Sequence, residues 1–123
     1  MKLPWPPKEL SPNARAHWAV RARVAAAYRQ TCYLLAKAER LKTPAGPAIL
    51  SLEFRPPTRR RMDDDNLVGR FKAGRDGLAD AMGIDDHQLS LLVRIGEPVK
   101  GGAVIVDILE PPAVVTSTCA APG

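Results

Sequence analysis

The chain has 123 residues, a formal net charge of +5 and an apolar content of 46%. This length suits one domain with a real core, and this apolar content excludes general disorder. Because the sequence has no apolar run of about 18 residues and its N-terminus lacks the apolar centre of a signal peptide, we expect no membrane span and a cytoplasmic protein. We assign residues 1–110 to a single domain and expect residues 111–123 to form a flexible tail.

Positive charge is concentrated in the first half of the chain. Residues 1–61 contain 13 Lys and Arg against 3 Glu, a balance of +10, whereas residues 62–123 contain 5 Lys and Arg against 10 Asp and Glu, a balance of −5. A basic surface facing an acidic cluster suits a protein that attracts a polyanion and holds a divalent cation against it. A solvated basic helix would explain the charge alone equally well.

Secondary-structure signals predict the element order β-α-β-α-β-β. The predicted elements are an edge strand over 2–5, an amphipathic helix over 14–40, a strand over 48–54, a helix from the Asp63–Asn66 segment to Met82, and strands over 89–97 and 103–109. We expect the last two strands to pair as a hairpin through the turn at 100–102. The predicted fold class is therefore α+β, a two-layer sandwich in which two helices cover one face of a small mixed sheet.

The acidic residues form two groups. Asp63, Asp64 and Asp65 are adjacent at the start of the second predicted helix, and Asp85 and Asp86 follow its end. Like charges at this density destabilise a fold unless a cation neutralises them, and a hairpin-like return of the chain would bring the two groups together. Carboxylate oxygens suit Mg²⁺, with Mn²⁺ as a substitute. Such a site supports phosphodiester hydrolysis.

A lysine shares the face of the second helix with one of these aspartates. At about 100° per residue, Asp65, Lys72 and Asp76 fall close to one line along a continuous helix. Lys72 is the candidate for stabilising charge on a reacting phosphate. We expect Asp76 to pair with a basic residue. A helix with no catalytic role would also turn its charged side chains outward.

Other catalytic schemes find little support in the sequence. Neither a glycine-rich phosphate loop nor a calcium-binding loop is present. Cys32 and Cys119 fit neither a disulfide framework nor a zinc site. For His17 and His87 we expect surface or capping roles.

An ordered set of motifs resembles the RusA-like Holliday junction resolvases of bacteria and their prophages. The motifs are Leu3-Pro4-Trp5-Pro6-Pro7, Ser11-Pro12-Asn13-Ala14-Arg15, Arg59-Arg60-Arg61, Asp63-x-Asp65-Asn66 and Asp85-Asp86. The resemblance implies a homodimeric, Mg²⁺-dependent endonuclease with an α+β fold of its own. It also implies that branched DNA is cut by paired, symmetric nicks.

The resemblance assigns roles to particular residues. Asp63, Asp65 and Asp86 correspond to the metal-binding carboxylates of the family. Lys72 corresponds to its essential lysine through the spacing to Asp76, because this chain carries extra residues between the aspartate motif and the lysine.

Basic residues for DNA contacts follow from the same resemblance. Arg15, Arg59, Arg60 and Arg61 are the candidates. Met62 stands where the family has an arginine directly before the first aspartate, and Arg60 or Arg61 would replace that contact.

Three further acidic residues receive supporting roles. We expect Asp64 to help cap the second helix and Asp85 to act as a helper beside Asp86. Glu53, near the end of its strand, is a candidate to contact the metal-binding side chains without binding the metal itself.

Two other functions remain open at this point. A non-catalytic protein that recognises branched DNA would use the aspartates only for capping or for a structural cation. A less specific or RNA-directed nuclease would share the same site. Nicking in the presence of a divalent metal distinguishes a resolvase from the non-catalytic protein. A comparison of junction, linear duplex and RNA substrates distinguishes a resolvase from the less specific nuclease.

Overall fold

The central strand of the fold is the one with the strictest alternation of apolar residues. The structure is a computed structural model that describes residues 1–12, 14–15, 17–59 and 64–110, with the backbone alone described for Asp64, Asp65 and Asp86. Strand β2 (Ala48–Arg55) buries every second side chain, from Ala48 to Phe54. The alternation buries one face of the strand and leaves the other partly exposed.

The other strands are β1 (Lys2–Pro4), β3 (Leu89–Ile95) and β4 (Ala103–Leu109), and the four strands form one mixed sheet in the order β1-β4-β2-β3. The helices are α1 (Trp18–Ala38), α2 (Asp64–Arg70) and α3 (Lys72–Met82), with single 3₁₀ turns at Lys8–Leu10 and Asp86–Gln88. The helices cover one face of this sheet, so the predicted α+β sandwich is confirmed. No helix in the described part of the chain is both long and apolar enough to cross a bilayer.

The core lies between the helices and the buried face of the sheet. Its largest fully buried side chains include Phe54 of β2, Leu78 of α3, and Phe71 between α2 and α3. The Phe54 and Phe71 rings meet edge to face with centroids 5.8 Å apart, a favoured aromatic geometry. Cys32 of α1 is fully buried in this core. Its burial raises the pKa of the thiol to about 11.

The predicted hairpin of the last two strands is wrong. β3 pairs in parallel with β2, and β4 pairs antiparallel with the opposite edge of β2, so β2 lies between them. The connection 96–102 crosses the end of β2 instead of making a tight turn. It is held there by backbone hydrogen bonds from Gly96 N to Phe54 O (2.9 Å) and from Val99 N to Pro56 O (3.0 Å).

Both helices also differ from their predicted bounds. α1 begins at Trp18 because His17 is its N-cap: the His17 Nδ1 accepts a hydrogen bond from Ala19 N at 3.1 Å. The capping role expected for His17 is thus confirmed. The second predicted helix is divided at Phe71, whose φ of −89° and ψ of 0° differ from helical values.

Glycine allows α1 and α3 to approach closely. A Cβ atom added to Gly77 of α3 would clash with the Arg29 carbonyl oxygen of α1. The same pair of helices is joined by a bidentate ion pair, in which Arg29 Nε and Nη2 donate to the Asp80 carboxylate at 2.6 and 2.9 Å. The backbone contact and the ion pair fix the spacing of the two helices.

We expect the substitution Gly77→Ala to lower the free energy of unfolding by about 1–3 kcal/mol, because the new methyl group forces the helices apart. Urea unfolding followed by circular dichroism measures the effect. Gly46→Ala is the matched control, since nothing lies within 4 Å of a Cβ atom at that position. Equal stability of the two variants would contradict the close approach.

Candidate active site

The two acidic groups lie at opposite ends of the helical layer. Asp64 and Asp65 are the first two residues of α2, and Asp86 begins the 3₁₀ turn that leads into β3. β2 and β3 are parallel and paired from Ala48↔Leu89 onward, so the chain leaves the carboxyl end of β2 and enters β3 at the opposite end of the sheet. Helices α2 and α3 span the distance between these ends.

Within one chain, the backbones of Asp65 and Asp86 are therefore far apart. Their separation is on the order of 20 Å, because a strand of this length spans about 3.3 Å per residue. Asp63 lies outside the described residues. Among the side chains that the structure describes, which do not include those of Asp63, Asp64, Asp65 and Asp86, no group of three or more His, Cys, Asp or Glu is placed to hold a metal ion. The backbone separation alone indicates that Asp65 and Asp86 do not meet within one chain.

Lys72 lies at the start of α3 with its side chain largely exposed. Its Nζ atom is 3.5 Å from Asp76 Oδ2, one helical turn away. The expectation that Asp76 pairs with a basic residue is confirmed, and the partner is Lys72 itself. The alignment of Lys72 with Asp65 assumed a continuous helix. The helix is interrupted at Phe71, but the hydrogen bonds from Phe71 N to Leu67 O (2.9 Å) and from Arg75 N to Phe71 O (3.0 Å) continue through this point.

An open groove of about 320 Å³ runs between α1 and the α2–α3 pair. Its charged lining residues are Arg21, Arg70, Lys72 and Asp76, which leaves an excess of positive charge. Small residues, Ala22, Ala25, Gly69 and Ala73, form much of the rest of the lining. Because small side chains and three positively charged residues line the groove, it can bind part of a polyanion.

Arg70 has a structural role that the sequence did not reveal. Its Nε donates to the carbonyl oxygens of Pro6 (2.8 Å) and Pro7 (3.1 Å), and its guanidinium lies 5.7 Å from the centroid of the Trp5 ring. Partial burial lowers the pKa of Arg70. Arg70 therefore connects the N-terminal Pro-Trp-Pro-Pro segment to α2. This contact places the segment beside the groove.

The basic residues predicted to contact DNA are only partly described. Arg15 precedes α1 and Arg59 follows β2, and both are exposed. Arg60, Arg61 and Met62 lie outside the described residues. Arg21 was one of several helix arginines in the sequence, and only its position in the lining of the groove distinguishes it from the others.

Asp85 and His87 form a local capping arrangement beside Asp86. The Asp85 Oδ1 atom accepts a hydrogen bond from His87 N at 3.0 Å and lies 2.7 Å from the His87 Nδ1 atom. Asp85 thus holds the 3₁₀ turn that carries Asp86, in agreement with the helper role predicted for it.

Glu53 lies away from the helical layer. Its carboxylate accepts hydrogen bonds from Arg55 Nε (2.5 Å) and Arg94 Nη2 (2.6 Å) on the open face of the sheet. The hydrogen bond from Arg55 is the main reason that the pKa of Glu53 is below its ordinary value. Glu53 therefore joins β2 to β3 through its hydrogen bond with Arg94.

The lowered pKa of Glu53 predicts a pH-dependent contribution to stability. The contribution is present above the ordinary pKa of a glutamate and is lost as the pH falls through the lowered pKa of the folded state. Glu53→Gln is therefore expected to lower the unfolding free energy at pH 7 by roughly 0.5–1 kcal/mol, with the difference shrinking in acid. Urea unfolding at several pH values measures this, with Glu97→Gln as an exposed control. A difference that is independent of pH would contradict the assignment.

The protein has an α+β fold. Its basic groove lies beside α2, the helix that begins with Asp64 and Asp65. No protein-family model matches the chain. A protein of Xylella fastidiosa (strain Temecula1), described as an uncharacterized protein, is 42% identical over 113 residues, covering 88% of this chain and 74% of the relative. The chain belongs to the same family as that Xylella protein.

Proposed function

We propose that the protein is a metal-dependent endodeoxyribonuclease that resolves Holliday junctions and other branched DNA by paired symmetric nicks. Such an activity serves recombination and repair or phage replication. The observation that supports it best is the basic groove containing Lys72, about two helical turns along the chain from Asp65. The resemblance of the sequence motifs to RusA-like resolvases supports the same conclusion.

The groove supplies the contacts to a DNA strand. Its volume of about 320 Å³ is at the low end of ligand sites, so it accommodates part of one strand rather than a duplex. Arg21 and Lys72 would neutralise phosphate charges there, while Arg70 is engaged with the N-terminal segment. The basic residues before α1 and after β2 would extend this surface along the backbone of the DNA.

The proposed metal ligands are Asp63, Asp65 and Asp86. Because Asp65 and Asp86 lie at opposite ends of the helical layer, a site containing both requires two copies of the chain. We therefore propose that Asp86 of one copy completes the site at Asp63 and Asp65 of the other in a homodimer. A bound Mg²⁺ or Mn²⁺ would supply positive charge against the phosphate at which the strand is cut.

The Lys72→Ala variant is expected to reduce the rate of junction cleavage by about 10²-fold or more, because it removes a positive charge that opposes the phosphate. The rate under single-turnover conditions measures this effect on the cutting step. Lys37→Ala, an exposed lysine in the last turn of α1, is the matched control. Equal cutting by both variants would exclude a catalytic role for Lys72.

A second candidate function is a branched-DNA-binding protein that does not cut. The positive balance of residues 1–61, +10, favours it because this charge explains DNA binding without requiring catalysis. Incubation of four-way junctions, linear duplex and RNA with Mg²⁺ or Mn²⁺ separates the candidates. Cutting confined to branched DNA supports the resolvase, cutting of all three supports a less specific nuclease, and salt-sensitive binding without nicks supports the non-catalytic protein.

A further inference from the structure

The start of α1 exposes a tryptophan. Trp18, the first residue of the helix, is 75% exposed, whereas tryptophan is highly buried in folded proteins on average. The other tryptophan, Trp5, follows that rule: its ring packs edge to face on Phe54 and contacts the Arg70 guanidinium. Exposed tryptophan side chains are enriched where proteins bind partners. The exposure of Trp18 therefore points to a binding role.

The Trp18 ring is supported by its neighbour. The ring of His17 lies beside it, with the two centroids 5.6 Å apart and the planes inclined at 31°. His17 is itself fixed, because its Nδ1 atom accepts the capping hydrogen bond from Ala19 N. A ring that is already held in place loses little conformational entropy when another ring stacks on it. We refer to His17 and Trp18 together as the aromatic pair.

Trp18 continues the row of α1 residues that lines the basic groove. Arg21, Ala22 and Ala25 line the groove, and at about 100° per residue they lie within about 60° of Trp18 around the helix axis. Trp18 precedes Arg21 by just under one helical turn. Arg21 is held at this end of the groove by a hydrogen bond from its Nη1 atom to the Ala14 carbonyl oxygen (3.4 Å). A cation suited to a phosphate thus lies next to a ring suited to a base.

This end of the groove is also the end at which α2 begins. Arg21, near the start of α1, shares the groove with Gly69 of α2, whereas Arg29, further along α1, pairs with Asp80 near the end of α3. α1 and the α2–α3 pair therefore run in the same direction. Trp18 lies at the end of the helical layer where α2 begins with its aspartates.

We propose that the aromatic pair stacks on an unpaired base and thereby directs the protein to branch points in DNA. The inference rests on the proposed function for its ligand and deepens it by naming a residue that determines specificity. Every base has an aromatic face on which a side chain can stack, but in a duplex the neighbouring base pairs cover these faces. A base that is already unpaired costs least to bring onto the ring.

The groove and the aromatic pair would recognise different parts of the DNA. Arg21 and Lys72 would contact phosphates, which are the same in paired and unpaired DNA. Trp18 would contact the base, whose faces are open only where pairing is interrupted. Stacking at Trp18 therefore supplies a preference for branched over linear DNA that positive charge alone does not supply.

Binding of oligonucleotides in EDTA tests this contact without reference to cleavage. One DNA sequence is presented as a single strand and as a fully paired duplex. We expect Trp18→Ala to raise the dissociation constant for the single strand by roughly 10-fold, as the loss of one stacked base does, and that for the duplex by less than about 2-fold. Trp18→Phe keeps an aromatic ring and should bind nearly as the wild type does. Leu34→Ala is the matched control, since Leu34 on α1 is 54% exposed and lies away from the groove-lining residues.

Tryptophan fluorescence reports the stacking itself. The single strand should quench the emission of the wild-type protein, because a base in contact with an indole ring quenches its fluorescence. In Trp18→Phe only Trp5 remains, and its packing on Phe54 and Arg70 keeps it from stacking on DNA. The quenching should therefore be lost in Trp18→Phe although this variant still binds the single strand.

Two results would overturn the inference: equal binding of the single strand by the wild type and Trp18→Ala, or an equal weakening for the single strand and the duplex. A protein that cuts junctions in Mg²⁺ but shows either result keeps the proposed function and loses the role of Trp18. A protein that binds the single strand through Trp18 but never cuts refutes the proposed function and leaves the inference standing.

Discussion

Replacing Asp65 by asparagine is expected to abolish cleavage of a synthetic four-way junction in Mg²⁺ while binding of the junction persists. The substitution removes one negative charge from the proposed metal ligands and keeps the size of the side chain. Without the bound metal, the transition state loses several kcal/mol of stabilisation. The cleavage rate is therefore expected to fall on the order of 10³-fold or more. Binding should be unchanged or slightly tighter, because one negative charge near the DNA is lost.

The matched control for this variant is Asp107→Asn. Asp107 is an exposed aspartate on β4, so its replacement changes the net charge equally without touching the proposed site. Circular dichroism of both variants verifies that each is folded. Unchanged cutting by Asp65→Asn would contradict the assignment of Asp65 as a metal ligand.

Mixing two inactive variants is expected to restore activity. The Asp65→Asn and Asp86→Asn homodimers each lack one ligand at both sites. In a mixed dimer, one site combines both substitutions, whereas the other combines the intact Asp65 of one copy with the intact Asp86 of the other. Random exchange of equal amounts makes about half of the dimers mixed, so roughly a quarter of the wild-type number of sites should return.

The restored activity has a specific form. A mixed dimer has one intact site, so it should nick one strand of a junction instead of making paired nicks. If each site came from a single chain, every site in the mixture would carry one substitution and the mixture would stay inactive. An inactive mixture, with subunit exchange verified by sedimentation of differently labelled chains, would therefore exclude the shared site.

The sequence predicted the elements of the fold better than their arrangement. The alternation of Leu50, Leu52 and Phe54 is a local signal, and it identified β2 correctly. The position of β4 depends on which strands pair with the two edges of β2. No pattern in the sequence of a single strand indicates that choice. The turn residues Gly101 and Gly102 suggested a hairpin, although they lie in a longer crossing that ends at β4.

For the candidate site, too, the individual residues were easier to predict from the sequence than their arrangement in space. The proposed roles of Asp65, Asp86 and Lys72 rest on residue types, spacing and the resemblance of the motifs. The expectation that Asp76 pairs with a basic residue was confirmed, and helical spacing makes Lys72 that partner. The separation of the two acidic groups was not visible, because it follows from the parallel pairing of β2 with β3. Arg70 carried one faint signal: the carbonyl groups of Pro6 and Pro7 require donors from elsewhere in the chain.

Mapping of the cut positions on a mobile four-way junction in Mg²⁺ tests the central claim most directly. Each of the two opposing strands is labelled in turn, and the products are resolved at single-nucleotide length. The proposed function predicts nicks at symmetric positions in the two strands, because two equivalent sites related by a two-fold axis act on one junction. Nicks scattered without symmetry, or no nicks with either Mg²⁺ or Mn²⁺, would contradict it.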